Sequence, residues 1–259
     1  MDWKDKVILI TGATGGIGSA LAWECAVKEA IVVCVSRSKD DLEVITKKVQ
    51  SISPKSMGVV CDVRNAYNVR SMVHGVLDRF GRIDILMNVA GVGLYKDVID
   101  TSLEEYEEVM QTNYFGTVYC TKEVLSSMMN EKSGTIVNIS SVAGKTGFPL
   151  ISAYAASKFA VAGFTESLFY DLRDYNIRVH LICPGAVNTK FFDQESYKHF
   201  PHEDRHANMV EPEVVARGIF DAMEKNRFET FIPNSGRIKN IGKNILTQWY
   251  MKKVNALPR

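Results

Sequence analysis

The stretch SAYAASKFA contains two side chains that could carry out chemistry together, Tyr154 and Lys158, which lie four residues apart. Residues four apart share one face of a helix, and the alanines of this stretch favour a helix. A tyrosine hydroxyl has a pKa of about 10 in model peptides, and a neighbouring ammonium lowers it. The pair could therefore exchange a proton with a reacting oxygen atom. The stretch could also be only the start of an ordinary helix, because Ser152 is a good N-cap residue.

Alternating apolar segments predict the framework that positions this pair. Short runs rich in β-branched residues predict strands at 6–11, 31–36, 57–62, 84–91, 134–140 and 177–185. Helical periodicity predicts helices at 17–29, 39–50, 65–80, 103–131 (one long helix or a broken pair) and 152–175. Strands that are apolar on both faces and alternate with helices indicate a parallel sheet covered on both sides. We therefore expect a single α/β domain over residues 1–259, a three-layer, doubly wound parallel sheet of the Rossmann type.

Two segments do not follow this alternation. Residues 186–210 are polar, aromatic and aperiodic, and a long insertion after the carboxyl end of a strand is typical of a substrate loop. Residues 237–259 carry six basic side chains and no acidic one, with an apolar stripe at Ile238, Ile241, Ile245 and Trp249. A basic amphipathic segment of this kind caps its own domain's pocket or a subunit interface, or makes weak contact with an anionic membrane surface.

Composition excludes several classes of protein. The 259 residues include 46% hydrophobic and 24% charged residues with a net charge of +1, so no overall field favours nucleic acid. The five cysteines lie scattered, mostly in apolar runs, so we expect buried reduced thiols and no metal site. The chain enters its first predicted strand at once and has no run of about 18 apolar residues. A cytoplasmic location is therefore expected.

The glycine-rich turn TGATGGIG at 11–18 joins the first predicted strand to the first helix. Its glycine spacing differs from the common GxGxxG pattern. Glycines nevertheless let the backbone turn tightly and approach a pyrophosphate, whose charge is stabilised by the amides and dipole of a helix N-terminus. A glycine-rich turn that binds no ligand is the alternative. The expected cofactor contacts are Gly12, Thr14, Gly15, Gly16, Ile17 and Gly18.

The end of the second predicted strand indicates which dinucleotide this turn would bind. An NAD site places a carboxylate there for the ribose 2′-hydroxyl, whereas an NADP site places a cation for the 2′-phosphate. The residues present are Ser36, Arg37 and Ser38, and the next acid along the chain is Asp40. This pattern favours NADP(H), bound through those three residues. The alternatives are an arginine that is merely solvated at a loop tip and a protein that prefers NAD.

Seven motifs occur in one order along the chain. They are TGxxxGIG at 11–18, CDV at 61–63, NVAG at 88–91, TNYFG at 112–116, ISSVAG at 139–144, YxxxK at 154–158 and PGAVNT at 184–189. In their order and spacing the chain resembles the short-chain dehydrogenases/reductases, in their plain non-extended branch, over about residues 5–232. The resemblance implies a Rossmann-type enzyme that interconverts a ketone and a secondary alcohol with a nicotinamide dinucleotide.

The resemblance also implies further cofactor contacts. Asp62 would bind the adenine amine, with Val63 beside it. The other contacts, along the channel and at the nicotinamide, would be Asn88, Ala90, Gly91, Pro184, Gly185, Val187 and Thr189. The chain departs from the family pattern at Val89 and His180, where the family usually has asparagine. Neither position touches the reacting atoms in the family, and His180 is expected to be a structural, hydrogen-bonded histidine.

By the same resemblance the catalytic residues are Asn113, Ser141, Tyr154 and Lys158. A carbonyl that accepts a hydride becomes an alkoxide that must be protonated, and Tyr154 would be the acid. Ser141, thirteen residues before the tyrosine as in the family, would donate to the substrate oxygen, whereas Ser140 would point to the other face of the strand. Lys158 would also bind the nicotinamide ribose, and Asn113 would hold a water on Lys158.

Aromatic and apolar residues in loops near the expected nicotinamide favour an apolar or aromatic substrate. They are Tyr95, Phe148, Leu150, Phe191 and Phe192, and the expected substrate contacts are Ser141, Phe148, Tyr154 and Phe191. The C-terminal sequence lacks the glycine-rich end of many acyl-carrier-protein ketoreductases and looks more like that of reductases acting on hydrophobic carbonyls, including steroid, acylglycerone or long-chain ketone substrates. The expected substrate is a hydrophobic or acyl-type ketone, such as a 3-oxoacyl or steroid-like compound. A preference for NADP favours reduction as the physiological direction.

Partners and competing functions follow from the same resemblance. The expected partners are a small carbonyl or alcohol substrate and further copies of the chain, as a homodimer or homotetramer. A non-catalytic NADP-binding sensor or scaffold of the same fold is one alternative, although such proteins usually lose the tyrosine or the lysine. An epimerase or dehydratase of the extended branch is another, and it would need a larger C-terminal substrate domain.

Overall fold

A seven-stranded parallel sheet forms the centre of the protein in the computed structural model, which describes residues 1–193, 197, 209–236, 240 and 247. The strands are β1 (Val7–Thr11), β2 (Ile31–Ser36), β3 (Met57–Val60), β4 (Ile85–Asn88), β5 (Gly134–Ile139), β6 (Ile177–Pro184) and β7 (Glu229–Ile232). Their order across the sheet is β3-β2-β1-β4-β5-β6-β7, and every neighbouring pair is parallel. The predicted doubly wound, Rossmann-type single domain is confirmed.

Seven α-helices connect the strands in the described part of the chain. They are α1 (Gly16–Val27), α2 (Lys39–Gln50), α3 (Ala66–Phe80), α4 (Leu103–Met110), α5 (Gly116–Asn130), α6 (Ser152–Asp171) and α7 (Pro212–Glu224). Local chemistry explains several boundaries: the side chains of Ser38, Asn65 and Ser102 cap α2, α3 and α4, and Gly81 ends α3 in the left-handed conformation.

Both faces of the sheet are buried along its central strands, which explains why β1, β2, β4 and β5 are continuous apolar runs, whereas the edge strand β3 is partly exposed. On β1, Ile8 and Ile10 pack with α1, α2 and α7, whereas Val7 and Leu9 pack with α3, α5 and α6. Side chains that alternate between two cores place β1 in the interior of the sheet. The strand order reverses there, between β1 and β4, and ligands of such folds bind at the carboxyl ends of these strands.

A single π-helical turn, Gln111–Phe115, lies between α4 and α5. The sequence predicted one long helix or a broken pair over 103–131, and the structure shows α4 and α5 running through this turn without a loop. Such turns add one residue to a helical turn and are frequent at functional sites. Here the turn carries Asn113, whose side chain is completely buried.

Backbone hydrogen bonds join the two ends of the predicted substrate loop. The amide of Asn188 donates to the carbonyl of Val210 (2.9 Å), and the amide of Val210 donates to the carbonyl of Ala186 (3.0 Å). After the loop come α7, which was not among the predicted helices, and β7. Residues 194–196 and 198–208, and the predicted basic segment 237–259 except for positions 240 and 247, lie outside the described residues.

The cysteines and His180 lie in the interior. All five thiols are free and buried, and burial raises the pKa of Cys34 to about 12 and that of Cys61 to about 11. His180 pairs through Nδ1 with the carbonyl of Arg227 (2.7 Å), and burial lowers its pKa.

Among the described residues, no three His, Cys, Asp or Glu side chains are grouped as a metal site requires. The same residues include no helix with both the length and the apolar character to cross a bilayer.

Candidate functional site

A large cavity of about 1130 Å³ opens at the carboxyl ends of the central strands. It lies beside the reversal in strand order, where ligands bind in folds of this kind. Small-molecule pockets usually measure about 300–1,000 Å³, so this one has room for a dinucleotide and a second molecule. The predicted site residues that line it are Gly12, Thr14, Gly15, Gly16, Ile17, Gly18, Ser36, Arg37, Val63, Ala90, Gly91, Ser141, Phe148, Tyr154, Lys158, Pro184, Gly185, Val187, Thr189 and Phe191.

The glycine turn forms a cradle that side chains would fill. Gly12 has a φ of +65°, and a Cβ there would lie 2.7 Å from the Cα of Ala90. A Cβ on Gly18 would lie 2.8 Å from the carbonyl carbon of Gly12. Helix α1 begins at Gly16 without a side-chain cap and without an acidic residue in its first turn. The positive end of α1 therefore presents uncapped amides to the cavity, which fits a pyrophosphate.

The end of β2 carries the residues that would distinguish the two dinucleotides. The Ser36 hydroxyl is 2.8 Å from the hydroxyl of Thr14 in the glycine turn, and Arg37 is exposed at the cavity wall. Ser38 instead accepts a hydrogen bond from the amide of Asp41, so its side chain caps α2. A guanidinium at the position of Arg37 can reach a phosphate of a bound nucleotide.

Asp62 is held by an arginine that the sequence analysis did not single out. The guanidinium of Arg64 donates to both carboxylate oxygens of Asp62, at 2.7 Å for the shortest bond, and also to Glu108. These hydrogen bonds hold the pKa of Asp62 below its ordinary range. Val63 lines the cavity and packs on Gly116, where a Cβ would lie 2.8 Å from the valine Cγ2. The orientation of the Asp62 carboxylate is thus fixed by Arg64.

Tyr154 and Ser141 meet in the cavity. Tyr154 lies in the first turn of α6 and is partly exposed, and Ser141 follows β5 and is buried. The Ser141 hydroxyl accepts from the amide of Ala143 (3.1 Å) and donates to the carbonyl of Pro184 (3.4 Å). Desolvation raises the pKa of Tyr154 to about 12, and a hydrogen bond with Ser141 opposes the rise. The tyrosine therefore carries its proton at neutral pH.

Lys158 lies one turn further along α6 and is 4% exposed. Its ammonium donates to the carbonyl of Ile139 at the end of β5 (2.9 Å) and lies 5.8 Å from the centre of the Tyr154 ring. Burial lowers the pKa of Lys158 to about 8. In the structure, burial, Ser141 and Cys183 act on the pKa of Tyr154. The lowering of that pKa by Lys158, which the spacing predicted, stays a prediction.

Ser140, which the sequence analysis set aside, anchors the backbone of Lys158. Its buried hydroxyl donates to the Lys158 carbonyl (2.8 Å). Gly144 leaves room for this contact, since a Cβ there would lie 2.6 Å from the same carbonyl oxygen. The sequence signal for this role was the pair of consecutive serines at the end of a predicted strand. It could not reveal the partner of Ser140, because Lys158 lies on α6.

Asn113 uses its amide group to hold the loop after β4. Its Oδ1 accepts from the amide of Val92 (2.8 Å), and its Nδ2 donates to the carbonyl of Val92 (2.9 Å) and to the hydroxyl of Ser157 (2.9 Å). A Cβ on Gly91 would lie 3.2 Å from Asn113 Oδ1 and 3.3 Å from Lys158 Nζ, so both groups lie next to that glycine. The water that Asn113 was expected to hold on Lys158 stays a prediction.

The side chain of Asn88 lies in a buried polar network, and its expected place along the cofactor channel stays a prediction. Its Nδ2 donates to Thr121 Oγ1 (3.1 Å) and to Asn138 Oδ1 (2.9 Å). Asn138 in turn donates to Thr165 Oγ1 (3.0 Å). The reason is the register of the sheet: Asn88 and Asn138 are directly paired on β4 and β5, so their side chains leave the sheet on the same face.

Aromatic side chains form the wall of the cavity beside Tyr154. Those singled out from the sequence that line it are Tyr95, Phe148, Phe191 and Phe192. The ring centre of Phe191 lies 5.6 Å from that of Tyr154. For Leu150, the fifth residue singled out, the structure shows a backbone contact: its carbonyl accepts a hydrogen bond from the amide of Lys96 (2.6 Å). Tyr197 lies in the predicted substrate loop but was not among the predicted site residues; it is buried and lines the cavity.

Comparison with known proteins agrees with this geometry. The family model of the short chain dehydrogenases matches residues 6–199. The chain belongs to the short-chain dehydrogenase family. This short-chain dehydrogenase is an oxidoreductase of carbonyl or alcohol groups, and it is 31% identical over 241 residues to the ketoacyl reductase HetN of a Nostoc species. That match covers 93% of this chain and 83% of the relative.

Solved short-chain dehydrogenases have the same fold. A short chain dehydrogenase/reductase from Burkholderia phymatum, in complex with NAD, gives a TM-score of 0.85 at 25% identity and covers 95% of this chain and 96% of its own. An actinorhodin polyketide ketoreductase with NADPH gives a TM-score of 0.77 at 30% identity, over 84% of this chain and 89% of its own. A nicotinamide dinucleotide is thus supported as the cofactor of this short-chain dehydrogenase.

Proposed function

We propose that this short-chain dehydrogenase reduces ketones on hydrophobic or acyl-type substrates to secondary alcohols, with NADPH as the reductant. One observation carries the proposal: a single cavity collects the hydroxyls of Tyr154 and Ser141, the ammonium of Lys158 and the amide cradle of the glycine turn. Carbonyl reduction needs these groups together, because the oxygen must be protonated while the carbon accepts a hydride. The similarity to a ketoacyl reductase and to a polyketide ketoreductase supports a ketone as the substrate.

The four side chains have different tasks in this reaction. A bound NADPH supplies the hydride for the carbonyl carbon. Tyr154 gives its proton to the carbonyl oxygen, so that the ketone gains one hydride and one proton and becomes the alcohol. Ser141 donates a hydrogen bond to the same oxygen and orients it. Lys158 binds the ribose hydroxyls and stabilises the tyrosinate. Asn113 holds the loop after β4, which lies between Asn113 and Lys158.

The protonation state of Tyr154 fits its role in ketone reduction. With a pKa of about 12, the hydroxyl carries at neutral pH the proton that reduction consumes. A pKa so far above neutrality makes a weak acid, so proton transfer depends on stabilisation of the tyrosinate. The positive charge of Lys158 acts after proton transfer, when the tyrosinate has formed.

Arg37 supports NADPH as the dinucleotide. Its exposed guanidinium lies at the cavity wall, where it can pair with a 2′-phosphate. The nearby carboxylate of Asp62 is already paired with Arg64 at 2.7 Å, so its charge is compensated. An enzyme that prefers NAD would place a carboxylate where Arg37 stands. Titration of the purified protein with NADPH and NADH decides between the two, and tighter binding of NADH would reject this part of the proposal.

Turnover by the purified protein tests the function. We expect NADPH oxidation, followed by its absorbance, with at least one member of a panel of 3-oxoacyl thioesters, ring ketones and long-chain ketones. The reaction should be lost in Tyr154→Phe. Tight NADPH binding without turnover of any ketone or alcohol would contradict the proposal and would support a non-catalytic sensor of the same fold.

We also propose that the protein forms a homo-oligomer. Leu103 of α4, Phe115 of the π turn and Phe159 of α6 are 76%, 39% and 41% exposed on elements that pack against one another. Large apolar side chains exposed on one region of a surface favour an interface. Light scattering in solution measures the number of subunits, and a monomer at every concentration would contradict this proposal.

A further inference from the structure

Gly93 lies directly beneath two aromatic side chains beside the catalytic tyrosine, and we call this glycine the seat. It lies in the loop after β4 and is buried. A Cβ on Gly93 would overlap the ring of Phe191, at 2.7 Å from its Cε1, and would lie 2.5 Å from the hydroxyl oxygen of Tyr197. The two side chains therefore rest directly on the glycine backbone. Any larger residue at position 93 would push them away.

These rings belong to a continuous group that we call the aromatic wall, made of Tyr95, Phe191, Phe192 and Tyr197. Tyr197 is its centre: its ring centre lies 5.6 Å from that of Tyr95, with the planes 29° apart, 5.6 Å from Phe191 and 5.3 Å from Phe192. Phe191 joins the wall to Tyr154, with the ring centres 5.6 Å apart. The reacting hydroxyl is thus bordered by an apolar surface built of rings.

Hydrogen bonds fix the backbone under the wall relative to Tyr154. Asn113 bonds both the amide and the carbonyl of Val92, the residue before Gly93. Asn113 also donates to the hydroxyl of Ser157 (2.9 Å), which donates to the carbonyl of Tyr154 (2.7 Å). The position of the seat relative to the catalytic tyrosine is therefore set by a short chain of bonds.

We propose that Gly93 and the aromatic wall select ketones that carry an aryl or fused-ring group near the reacting carbonyl over straight-chain ketones of equal size. The inference rests on the proposed ketone reduction and names its substrate class. Phe191 and Tyr197 contact the ring of the substrate. Gly93 is a positioning residue, because it acts through the rings that it seats.

Two physical reasons favour a ring over a flexible chain. Aromatic side chains present π faces and edges, and a substrate ring gains from offset-stacked or edge-on contact with them. A chain must lose rotational freedom to lie along the same surface, whereas a ring has little freedom to lose. Phe148, Pro149 and Ile151 complete an apolar lining in the same cavity.

The test compares two methyl ketones with the same number of carbon atoms. One is benzyl methyl ketone, whose ring is not conjugated to the carbonyl, and the other is the straight-chain methyl ketone. With NADPH as reductant, the kcat/KM of the wild-type protein should favour the ring ketone about fivefold or more, the effect of one good aromatic contact. Equal kcat/KM values would overturn this inference and leave the proposed function standing. No turnover of any ketone would reject both.

Two variants test the seat and the wall separately. Gly93→Ala should raise the KM for the ring ketone by about five- to tenfold and change the KM for the straight-chain ketone less than about twofold, because the wall moves away from Gly93. Gly75→Ala in α3 is the matched control, since a Cβ on Gly75 meets nothing within 4 Å. It should change neither KM.

Tyr197→Leu keeps the apolar bulk and removes the central ring, so it tests the wall even where Gly93→Ala does not fold. The ratio of kcat/KM for the ring ketone to that for the straight-chain ketone should fall to about one. A Tyr197→Leu protein that binds NADPH normally and keeps the wild-type ratio would overturn the inference.

Discussion

The hydroxyl of Ser140 donates a hydrogen bond of 2.8 Å to the carbonyl of Lys158 and so ties the end of β5 to α6. The ammonium of the same lysine donates to the carbonyl of Ile139, the residue before Ser140, at 2.9 Å. Two neighbouring residues, the last one of β5 and the one after it, therefore hold both ends of one lysine. The position of the charge beside Tyr154 depends on the sheet as well as on the helix.

Ser140→Ala should weaken both the fold and the activity. Loss of a buried hydrogen bond should lower the free energy of unfolding by about 1–3 kcal/mol, measured by urea titration. The kcat should fall roughly tenfold, because Lys158 is then less well placed beside Tyr154. Ser126→Ala, an exposed serine of α5, is the control and should change neither quantity. A folded Ser140→Ala protein with wild-type kcat and an unchanged pH profile would show that the bond has no positioning role.

Tyr154→Phe should lower kcat for ketone reduction by about 10²–10⁴-fold, because it removes the proton donor. Binding of NADPH, measured by fluorescence titration, should stay close to wild type. Tyr170→Phe is the matched control on the same helix, since Tyr170 is exposed. Equal rates in Tyr154→Phe and the wild type would rule out the proposed acid.

The rate of reduction should fall as the pH rises through about 8. Burial lowers the pKa of Lys158 to about 8, so its ammonium is present below that pH and lost above it. Tyr154, with a pKa of about 12, keeps its proton throughout, so the fall reports the lysine. The measurement is kcat/KM for a ketone from about pH 6 to pH 10. Lys158→Arg keeps its charge across this range, and any activity that it retains should not show the fall.

Arg37→Ala should weaken the binding of NADPH by roughly ten- to hundredfold, because one charge-assisted hydrogen-bonding group is lost from the 2′-phosphate. The binding of NADH, which lacks that phosphate, should change little. Arg70→Ala removes another exposed arginine, in α3, and should leave both affinities unchanged. An equal loss for NADPH and NADH in Arg37→Ala would show that the guanidinium does not read the phosphate.

The sheet could be predicted because strands buried on both faces are continuous apolar runs. Residues 31–36 and 39–50 were predicted as a strand and a helix and are β2 and α2 with the same bounds. The predicted strand 84–91 ends early, at Asn88, for a reason that lies on another element. The amides of Val89 and Ala90 donate to the hydroxyl of Thr11 on β1, so the backbone turns away from the ladder.

The partners of the site side chains could not be read from local patterns. The helical period over 103–131 does not reveal the π turn that buries Asn113 against Val92. The pairing of Asn88 with Asn138 depends on which strands are neighbours, and motif spacing does not contain that information. Positions along the chain were therefore accessible from the sequence, whereas the directions of these side chains depend on tertiary packing.

The extra residue of the π turn serves the site rather than the core. Deleting one residue from Gln111–Phe115 would convert it into an ordinary α-helical turn, because a π turn is an α-helical turn with one residue more. Helix α5 would then keep Val124 and Met128 in the core, whereas Asn113 would lose the position from which it bonds to Val92. A deletion of one residue here would therefore release the loop after β4 while the helices on either side stay packed.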